Sequence, residues 1–278
     1  MQGSNGSSSQ QNSLRVRVLR SGSAGNAILV EANGRQFLID AGLPADTLLR
    51  EITDACPNAS LDAILLTHEH DDHIKGAAGV ARATGARVLV NEKTLRAADG
   101  QLAGIDVEIF RSEQPHWVGT VEVTPFRLPH DAADPVGFAL EYCGVRAAVA
   151  CDLGEVTDVL LEHARGADLF LIEANYDPRL LGISAYPWFL KNRIISPQGH
   201  LSNDGAAQAA VGVATGGSQT IMLVHLSEVN NLAPLARDIV RAALDAEGKP
   251  GVRVEAIRPN SGGPWWTGAR IASTAAAG

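Results

Sequence analysis

The residues best suited to chemistry form one short run, Thr67-His68-Glu69-His70-Asp71-Asp72-His73, directly after an apolar segment. If that segment is a strand, alternation of its side chains places His68 and His70 on the same side, while Asp72 and His73 follow where the chain turns into a helix. Protonated imidazoles so close together repel, so the cluster is typical of histidines kept neutral by a metal ion or by hydrogen bonds. The spacing therefore predicts metal binding and allows two ions to share one loop.

Four single residues elsewhere also end apolar, strand-like segments: Asp40, His130, Asp152 and His225. Each is a weak indication alone, because a lone histidine is often a hydrogen-bonded loop residue and an aspartate after a strand is often a helix cap. Their order in the chain and their common context favour a shared site instead.

This set of residues resembles the signature of the metallo-β-lactamase-fold hydrolases, and the resemblance spans almost the whole chain. It implies seven metal ligands: His68, His70 and His130 for one ion, Asp72, His73 and His225 for another, and Asp152 bridging the two. On that assignment Asp72 and Asp152 are also catalytic residues.

Imidazole and carboxylate ligands suit several divalent ions, so two Zn²⁺, Mn²⁺ or Fe²⁺ ions are expected. Two such ions about 3.5–4 Å apart can bind a bridging water and lower its pKa toward about 7, which supplies a hydroxide nucleophile. The sequence has no G-x-S-x-G elbow that would supply a serine nucleophile instead.

A glycine-rich segment, Ser21-Gly22-Ser23-Ala24-Gly25-Asn26, lies between two predicted strands. Its glycines permit tight turns, so Ser21, Ser23 and Asn26 can hydrogen-bond to a substrate near the metals. The alternative is a plain turn.

A second segment combines cations with a predicted helix start. Lys191, Arg193 and His200 precede Ser202 and Asn203, either of which can cap the following helix. A helix start with nearby cations can bind phosphate. We therefore expect Lys191, Arg193, Ser202 and Asn203 to bind substrate, although a solvated loop with an ordinary cap is the alternative.

Several short motifs narrow the resemblance, including Asp152-Leu153-Gly154, Glu173-Ala174-Asn175, Gly199-His200-Leu201-Ser202-Asn203 and His225-Leu226-Ser227. Together they look like the YycJ/WalJ-like branch, which is related to ribonuclease Z and the β-CASP nucleases. The resemblance implies a phosphodiesterase with DNA 5′-to-3′ exonuclease activity, in which His200 assists at the scissile phosphate. Tyr176 departs from the pattern, because many relatives have histidine there.

Two other functions remain open. A thioester or lactone hydrolase of the glyoxalase II type uses similar ligands, and the segment from Lys191 to Asn203 is what argues against it. The second alternative is a regulatory protein that holds metal without catalysing a reaction. Such a protein would be expected to have lost ligands, and the apparent ligands are all present.

The composition limits the remaining possibilities. The chain has 278 residues, 45% hydrophobic content, a formal net charge of −8 and a pI near 5.5, which argue against a protein that coats nucleic acid by bulk electrostatics. No apolar run is long enough to cross a membrane, and the first residues do not resemble a signal peptide. Three cysteines without metal-type spacing agree with a cytoplasmic protein. The oligomeric state cannot be deduced.

The organisation of the chain indicates one hydrolase domain over residues 14–270, with a disordered tail over 1–13 and a flexible tail over 271–278. Alternating apolar residues predict an antiparallel opening, with Asn33-Gly34 as a hairpin turn, and strands mixed with helices follow. Strands outnumber what a single doubly wound sheet needs, which favours two packed sheets with helices outside. The family resemblance implies the same α/β arrangement, a four-layer αββα sandwich.

Overall fold

The computed structural model describes residues 13–57, 60–215 and 219–270. The tail predicted for residues 1–13 lies outside these ranges except for Ser13, and the tail predicted for 271–278 lies outside them entirely. Within the described ranges, no helix is both long and apolar enough to span a membrane.

The described residues form fourteen strands and nine helices. The strands are β1 (Ser13–Arg20), β2 (Ala27–Ala32), β3 (Arg35–Ile39), β4 (Ser60–Leu65), β5 (Arg87–Asn91), β6 (Val107–Phe110), β7 (His116–Val118), β8 (Val121–Arg127), β9 (Val136–Tyr142), β10 (Val145–Ala150), β11 (Leu169–Glu173), β12 (Thr220–Val224), β13 (Arg253–Ala256) and β14 (Trp266–Ala269). The helices are α1 (Ala45–Ala55), α2 (Asp71–Ile74), α3 (Ala77–Thr84), α4 (Glu92–Ala97), α5 (Asp158–Ala164), α6 (Pro178–Ile183), α7 (Trp188–Ile194), α8 (Asn203–Val213) and α9 (Ala233–Ala246).

The strands form two seven-stranded sheets. The first has the order β14-β1-β2-β3-β4-β5-β6, and the second has the order β13-β12-β11-β10-β9-β8-β7. In each sheet one half is antiparallel and the other is parallel: β3 to β6 run parallel in the first, and β10 to β13 run parallel in the second. Parallel neighbours need a crossover, and several of the helices occupy those connections.

Side chains that alternate along the strands produce the layers. Phe37 and Leu65 from the first sheet and Phe138 and Val149 from the second belong to one core between the sheets. The opposite strand faces are covered by helices, α1 and α3 on the first sheet and α5, α8 and α9 on the second. The αββα sandwich expected from the sequence is therefore confirmed.

Local structure differs from the sequence prediction in a few places. The helix expected to begin near Asp72 and His73 is the short helix α2, and α3 is separated from it at Gly76, where a Cβ atom would lie 2.1 Å from the Leu43 carbonyl oxygen. Lys191 and Arg193, expected only to precede the helix that begins near Ser202, lie in a separate helix, α7.

Candidate metal centre

One end of the sandwich collects the predicted ligands, because strands from both sheets finish there. Each residue follows the carboxyl end of a strand by a few positions: Asp40 follows β3, His68 follows β4, His130 follows β8, Asp152 follows β10 and His225 follows β12. The carboxyl ends of strands that run in the same direction lie at one edge, so residues far apart in the sequence meet.

Three of these strand ends turn with an unusual backbone conformation. Asp40, Asp152 and His225 have φ angles of 61°, 58° and 55°. The left-handed region costs a residue other than glycine about 1 to 3 kcal/mol where it is strained, and aspartate and histidine are among the residues enriched there. Such conformations cluster at functional sites, which is the setting here.

A first group contains three histidines. His68 Nε2 lies 3.0 Å from His70 Nδ1, and the His130 ring centroid lies 5.2 Å from each of theirs. His130 Nδ1 donates to the Gly199 carbonyl at 3.0 Å, so Nε2, which lies 3.3 Å from Asp131 Oδ1, is the nitrogen that can bind a metal. Burial lowers the pKa of His68 and of His130. A lowered pKa favours the neutral form of both rings, which is the form that binds a metal.

A second group contains two carboxylates and two histidines. His73 Nε2 lies 2.6 Å from Asp152 Oδ2 and 3.6 Å from Asp72 Oδ2, and His225 Nε2 lies 3.7 Å from Asp72 Oδ2. Asp152 Oδ2 is also 3.7 Å from His68 Nε2 of the first group. In both groups the potential ligand atoms lie within 4.8 Å of one another. Asp152, a member of the second group, therefore also lies close to the first.

An unpaired polar atom shows that these residues suit a cation. His225 Nε2 is buried and has no hydrogen-bond partner among the described residues, and Asp72 Oδ2 lies 3.7 Å from it. Leaving such an atom unsatisfied is costly, and a divalent ion bound by His225 Nε2 and its neighbours would satisfy it. The clusters of histidine and aspartate are therefore able to hold metal ions.

The charges at this centre also favour the binding of cations. Burial acts to raise the pKa of Asp152, but His225 and His73 outweigh it and hold that pKa well below its usual range. Burial acts to lower the pKa of His73, but Asp40 and Asp152 outweigh it and raise that pKa well above its usual value. The ionised carboxylates attract positive charge, which bound metal ions supply in place of protons.

Two carboxylates with no role predicted from the sequence fix the orientation of the histidines: Asp40, which was expected at the shared site, and Glu173, which was noted only within a motif. Asp40 Oδ2 lies 2.7 Å from His73 Nδ1, and Glu173 Oε1 lies 2.8 Å from His225 Nδ1. Each Nδ1–H donates to its carboxylate, so Nε2 carries the lone pair that faces the centre. A signal was available, because Asp40 directly follows a strand and Glu173 ends one, as the ligand candidates do.

Glu173 also supports His200. Glu173 Oε1 lies 2.7 Å from His200 Nδ1, while Oε2 accepts hydrogen bonds from the backbone N–H groups of Leu153 and Leu201. Glu173 lies close enough to share an ion with Asp152, His200 and His225. Both of its oxygens already accept hydrogen bonds, however, so it serves better as a support for histidines than as a ligand.

His200 is a cation at the edge of the centre. Burial acts to lower the pKa of His200, but the carboxylates of Glu173 and Asp152 outweigh it and raise that pKa to about 9. Its Nδ1 lies 3.2 Å from Asp152 Oδ1. The protonated ring therefore places positive charge beside Asp152.

A cavity of about 160 Å³ opens beside His200. Its lining includes Ser23, Arg193, Tyr186 and Asn230. Asn230 is buried, and its Oδ1 has no hydrogen-bond partner in the part of the chain that the structure describes. A larger cavity, of about 550 Å³, lies beside α9 and β13 and has none of these histidines in its lining.

The predicted substrate-binding residues of the glycine-rich segment have different surroundings. Ser23 lines the cavity beside His200. The Ser21 hydroxyl accepts a hydrogen bond of 2.7 Å from the His225 backbone N–H. Asn26 Nδ2 lies 3.3 Å from Asp72 Oδ2 and 3.1 Å from His73 Nε2. Ser21 and Asn26 therefore support metal-ligand candidates directly.

The other four predicted substrate-binding residues all have partners within the protein. Lys191 Nζ donates to two carbonyls, those of Gly182 and Ser184, at 2.8 Å each. Arg193 lines the cavity and pairs with Asp131 at 2.6 Å. Ser202 caps α8 by accepting from the Gly205 N–H, and Asn203 is buried and pairs with Asn231.

Comparison with known proteins agrees with this geometry. The sequence profile described as "Beta-lactamase superfamily domain" matches residues 35–226, so the chain belongs to that superfamily. The exodeoxyribonuclease YycJ of Bacillus anthracis is 37% identical over 239 residues, which cover 84% of this chain and 90% of that protein. The exodeoxyribonuclease WalJ of Streptococcus pneumoniae serotype 2 is 36% identical over 231 residues, 80% of this chain and 85% of that protein.

Solved structures show the same fold at low identity. The metallo-β-lactamase fold protein YhfI from Bacillus subtilis superimposes with a TM-score of 0.71 at 17% sequence identity, covering 92% of this chain and all of that one. At such identity the likeness establishes the fold and nothing finer.

Proposed function

We propose that this protein is a metal-dependent exodeoxyribonuclease that removes nucleotides from DNA in the 5′-to-3′ direction. Support comes from relatives named exodeoxyribonucleases that match 80% or more of this chain. The observation that carries the proposal is the pair of ligand groups that meet at Asp152, with the His200 cation beside Asp152.

We assign seven residues as ligands of two divalent ions: His68, His70 and His130 for one, Asp72, His73 and His225 for the other, and Asp152 between them. Zn²⁺, Mn²⁺ and Fe²⁺ all suit this donor set. Ions bound there would activate water as the nucleophile and offset the negative charge of a phosphodiester.

In the proposal, other side chains bind the phosphate, donate a proton or hold these groups in place. His200 contacts the scissile phosphate and donates a proton to the departing oxygen, and Glu173 holds the His200 ring in place. Ser23 and Arg193 contact phosphate oxygens from the cavity wall. Ser21, Asn26, Lys191, Ser202 and Asn203 contribute by holding the backbone and the ligands in place. A DNA substrate fits the cytoplasmic location predicted from the sequence.

A side-by-side assay of three substrates tests the proposal. Metal-loaded protein should degrade end-labelled DNA and hydrolyse bis(p-nitrophenyl) phosphate, and it should leave the thioester S-lactoylglutathione intact. Release of label from the 5′ end before the 3′ end would support the polarity. Hydrolysis of the thioester without loss of DNA would refute the proposal, and so would no turnover of any substrate with Mn²⁺ or Zn²⁺.

A further inference from the structure

The N-terminal end of helix α7 exposes two large aromatic rings at consecutive positions. Trp188 is 74% exposed and Phe189 is 75% exposed. The next helical turn carries Leu190, Arg193 and Ile194, which line the cavity beside His200. Phe189 and Arg193 are four positions apart, so they lie on the same face of the helix. Phe189 therefore lies beside the wall of the cavity next to His200, and Trp188 lies on the adjoining face of the helix.

Burial of neighbouring residues fixes helix α7, which carries the rings. Tyr176, Leu181 and Ile194 form a small apolar cluster of their own, against which Tyr186 and Leu190 pack. The rings of Trp188 and Phe189 are left out of that cluster, although contact with it would remove apolar surface from water. Exposed aromatic side chains next to a binding site are a common feature of surfaces that bind a partner.

The charge of the segment indicates what kind of partner. Residues 178–199 contain Arg179, Lys191 and Arg193 but no aspartate or glutamate, in a chain of net charge −8. A polyanion suits this surface. A symmetric dimer through the same patch would bring its positive charges against their own copies, which disfavours a second copy of this chain as the occupant.

We propose that Trp188 and Phe189 form a stacking platform for the bases of a single-stranded nucleic acid whose end lies in the cavity at the metal centre. The proposal rests on the nuclease function proposed above. Every base has a π face, so stacking holds a strand without regard to its sequence, and a nearby cation such as Arg193 can hold a phosphate. The bases of a duplex are already stacked on one another. The platform therefore predicts a preference for single strands or frayed ends.

Binding measurements on the metal-loaded protein test the platform. The probe is a fluorescein-labelled, phosphorothioate-linked oligonucleotide of mixed sequence, which resists cleavage, and fluorescence anisotropy gives its affinity. Replacing Trp188 and Phe189 together by alanine should weaken single-strand binding roughly ten-fold or more per ring, and should weaken blunt-duplex binding less. Trp188→Phe, which keeps a ring, should retain most of the affinity.

Trp117 provides the matched control, because it is 60% exposed on β7, in a different part of the fold. Trp117→Ala should leave the affinity unchanged. Oligonucleotide binding should also quench tryptophan emission in the wild type and in Trp117→Phe, but much less in Trp188→Phe. That spectroscopic difference reports base contact at Trp188 independently of turnover.

Several results would overturn the platform. If the wild type degrades DNA and the double alanine variant binds the single strand equally well, the platform is wrong and the nuclease function stands. The same holds if the double substitution instead abolishes binding to phosphatidylglycerol vesicles, or converts a dimer to a monomer, with unchanged oligonucleotide affinity. A wild type that neither binds nor cleaves DNA overturns the proposed function and the platform together.

Discussion

At the scale of single residues, the centre depends on the carboxylates that stand behind its histidines. Asp40 and Glu173 decide which nitrogen of His73 and of His225 faces the ligand groups. The spacing from His68 to His73 indicated that these side chains would lie together, and they do. The supporting carboxylates were harder to assign, because a hydrogen bond between residues 33 or 52 positions apart leaves no local pattern.

Asp40→Asn tests the support of His73. Asparagine tolerates the left-handed backbone of Asp40, so the fold should remain. The amide has one acceptor oxygen, whereas Asp40 accepts hydrogen bonds from the Thr67 backbone and hydroxyl groups as well as from His73. Loss of such a support typically costs 10- to 100-fold in metal affinity or activity, and we expect a loss of about that size. Elemental analysis and thermal unfolding would measure it; full metal content with full activity would contradict the expectation.

His200→Ala tests the proposed proton donor. DNA cleavage must release an alkoxide-like oxygen that needs a proton, whereas p-nitrophenolate leaves readily as an anion. Because general acid catalysis contributes about 10²- to 10⁴-fold, DNA turnover should fall by that order and turnover of bis(p-nitrophenyl) phosphate by much less. An equal fall for both substrates would show that His200 acts by another route, such as orienting Asp152.

At the scale of helices and strands, close backbone approaches hold the loops at the centre. A Cβ atom on Gly42 would lie 1.7 Å from the Asp72 carbonyl oxygen, and the Asn26 N–H donates to that same oxygen at 2.8 Å. Side-chain periodicity predicted most strands and the longer helices. It did not predict α6, which has six residues and contains proline and glycine, or α7, which has seven residues and follows Pro187. It also did not predict the pairing of β14 with β1 across the length of the chain.

Gly42→Ala should therefore displace the loop that carries Asp72 and His73. Forcing extra volume into a packed site costs about 1 to 3 kcal/mol, so the free energy of unfolding should fall by that amount and metal content should fall with it. Gly182→Ala is the control, since a Cβ atom there meets nothing within 4 Å. Denaturant titration would measure the free energy of unfolding of both variants. Equal values for Gly42→Ala and Gly182→Ala would contradict the prediction.

Lys191 and Arg193 should behave differently although both are cations on α7. Lys191→Gln breaks hydrogen bonds to the turn between α6 and α7, so it should lower stability by about 1.5 kcal/mol and leave the salt dependence of DNA binding unchanged. Arg193→Gln should reduce the slope of log affinity against log salt by about 0.7 for a single strand. If both variants change the slope equally, Lys191 also contacts phosphate.

At the scale of the whole molecule, an acidic chain contains a segment, residues 178–199, that has three cations and no carboxylate. The net charge of −8 includes the carboxylates of the centre, where Asp72 and Asp152 face histidines and, in the proposal, metal ions. The αββα layering was predictable, because the number of strands and the family resemblance both pointed to it. The basic segment of residues 178–199 was predicted only in part, since sequence alone did not show that its rings stay exposed while its cations find partners.

The central claim is that this protein removes nucleotides from a DNA end in a metal-dependent reaction. The most direct test compares the release of acid-soluble nucleotides from a linear single strand and from a covalently closed circle of the same sequence, each with Mn²⁺ and with a chelator. The account predicts release from the linear strand with metal, no release with chelator, and an intact circle throughout. Cleavage of the circle, release in the presence of chelator, or an unchanged linear strand with metal would contradict it.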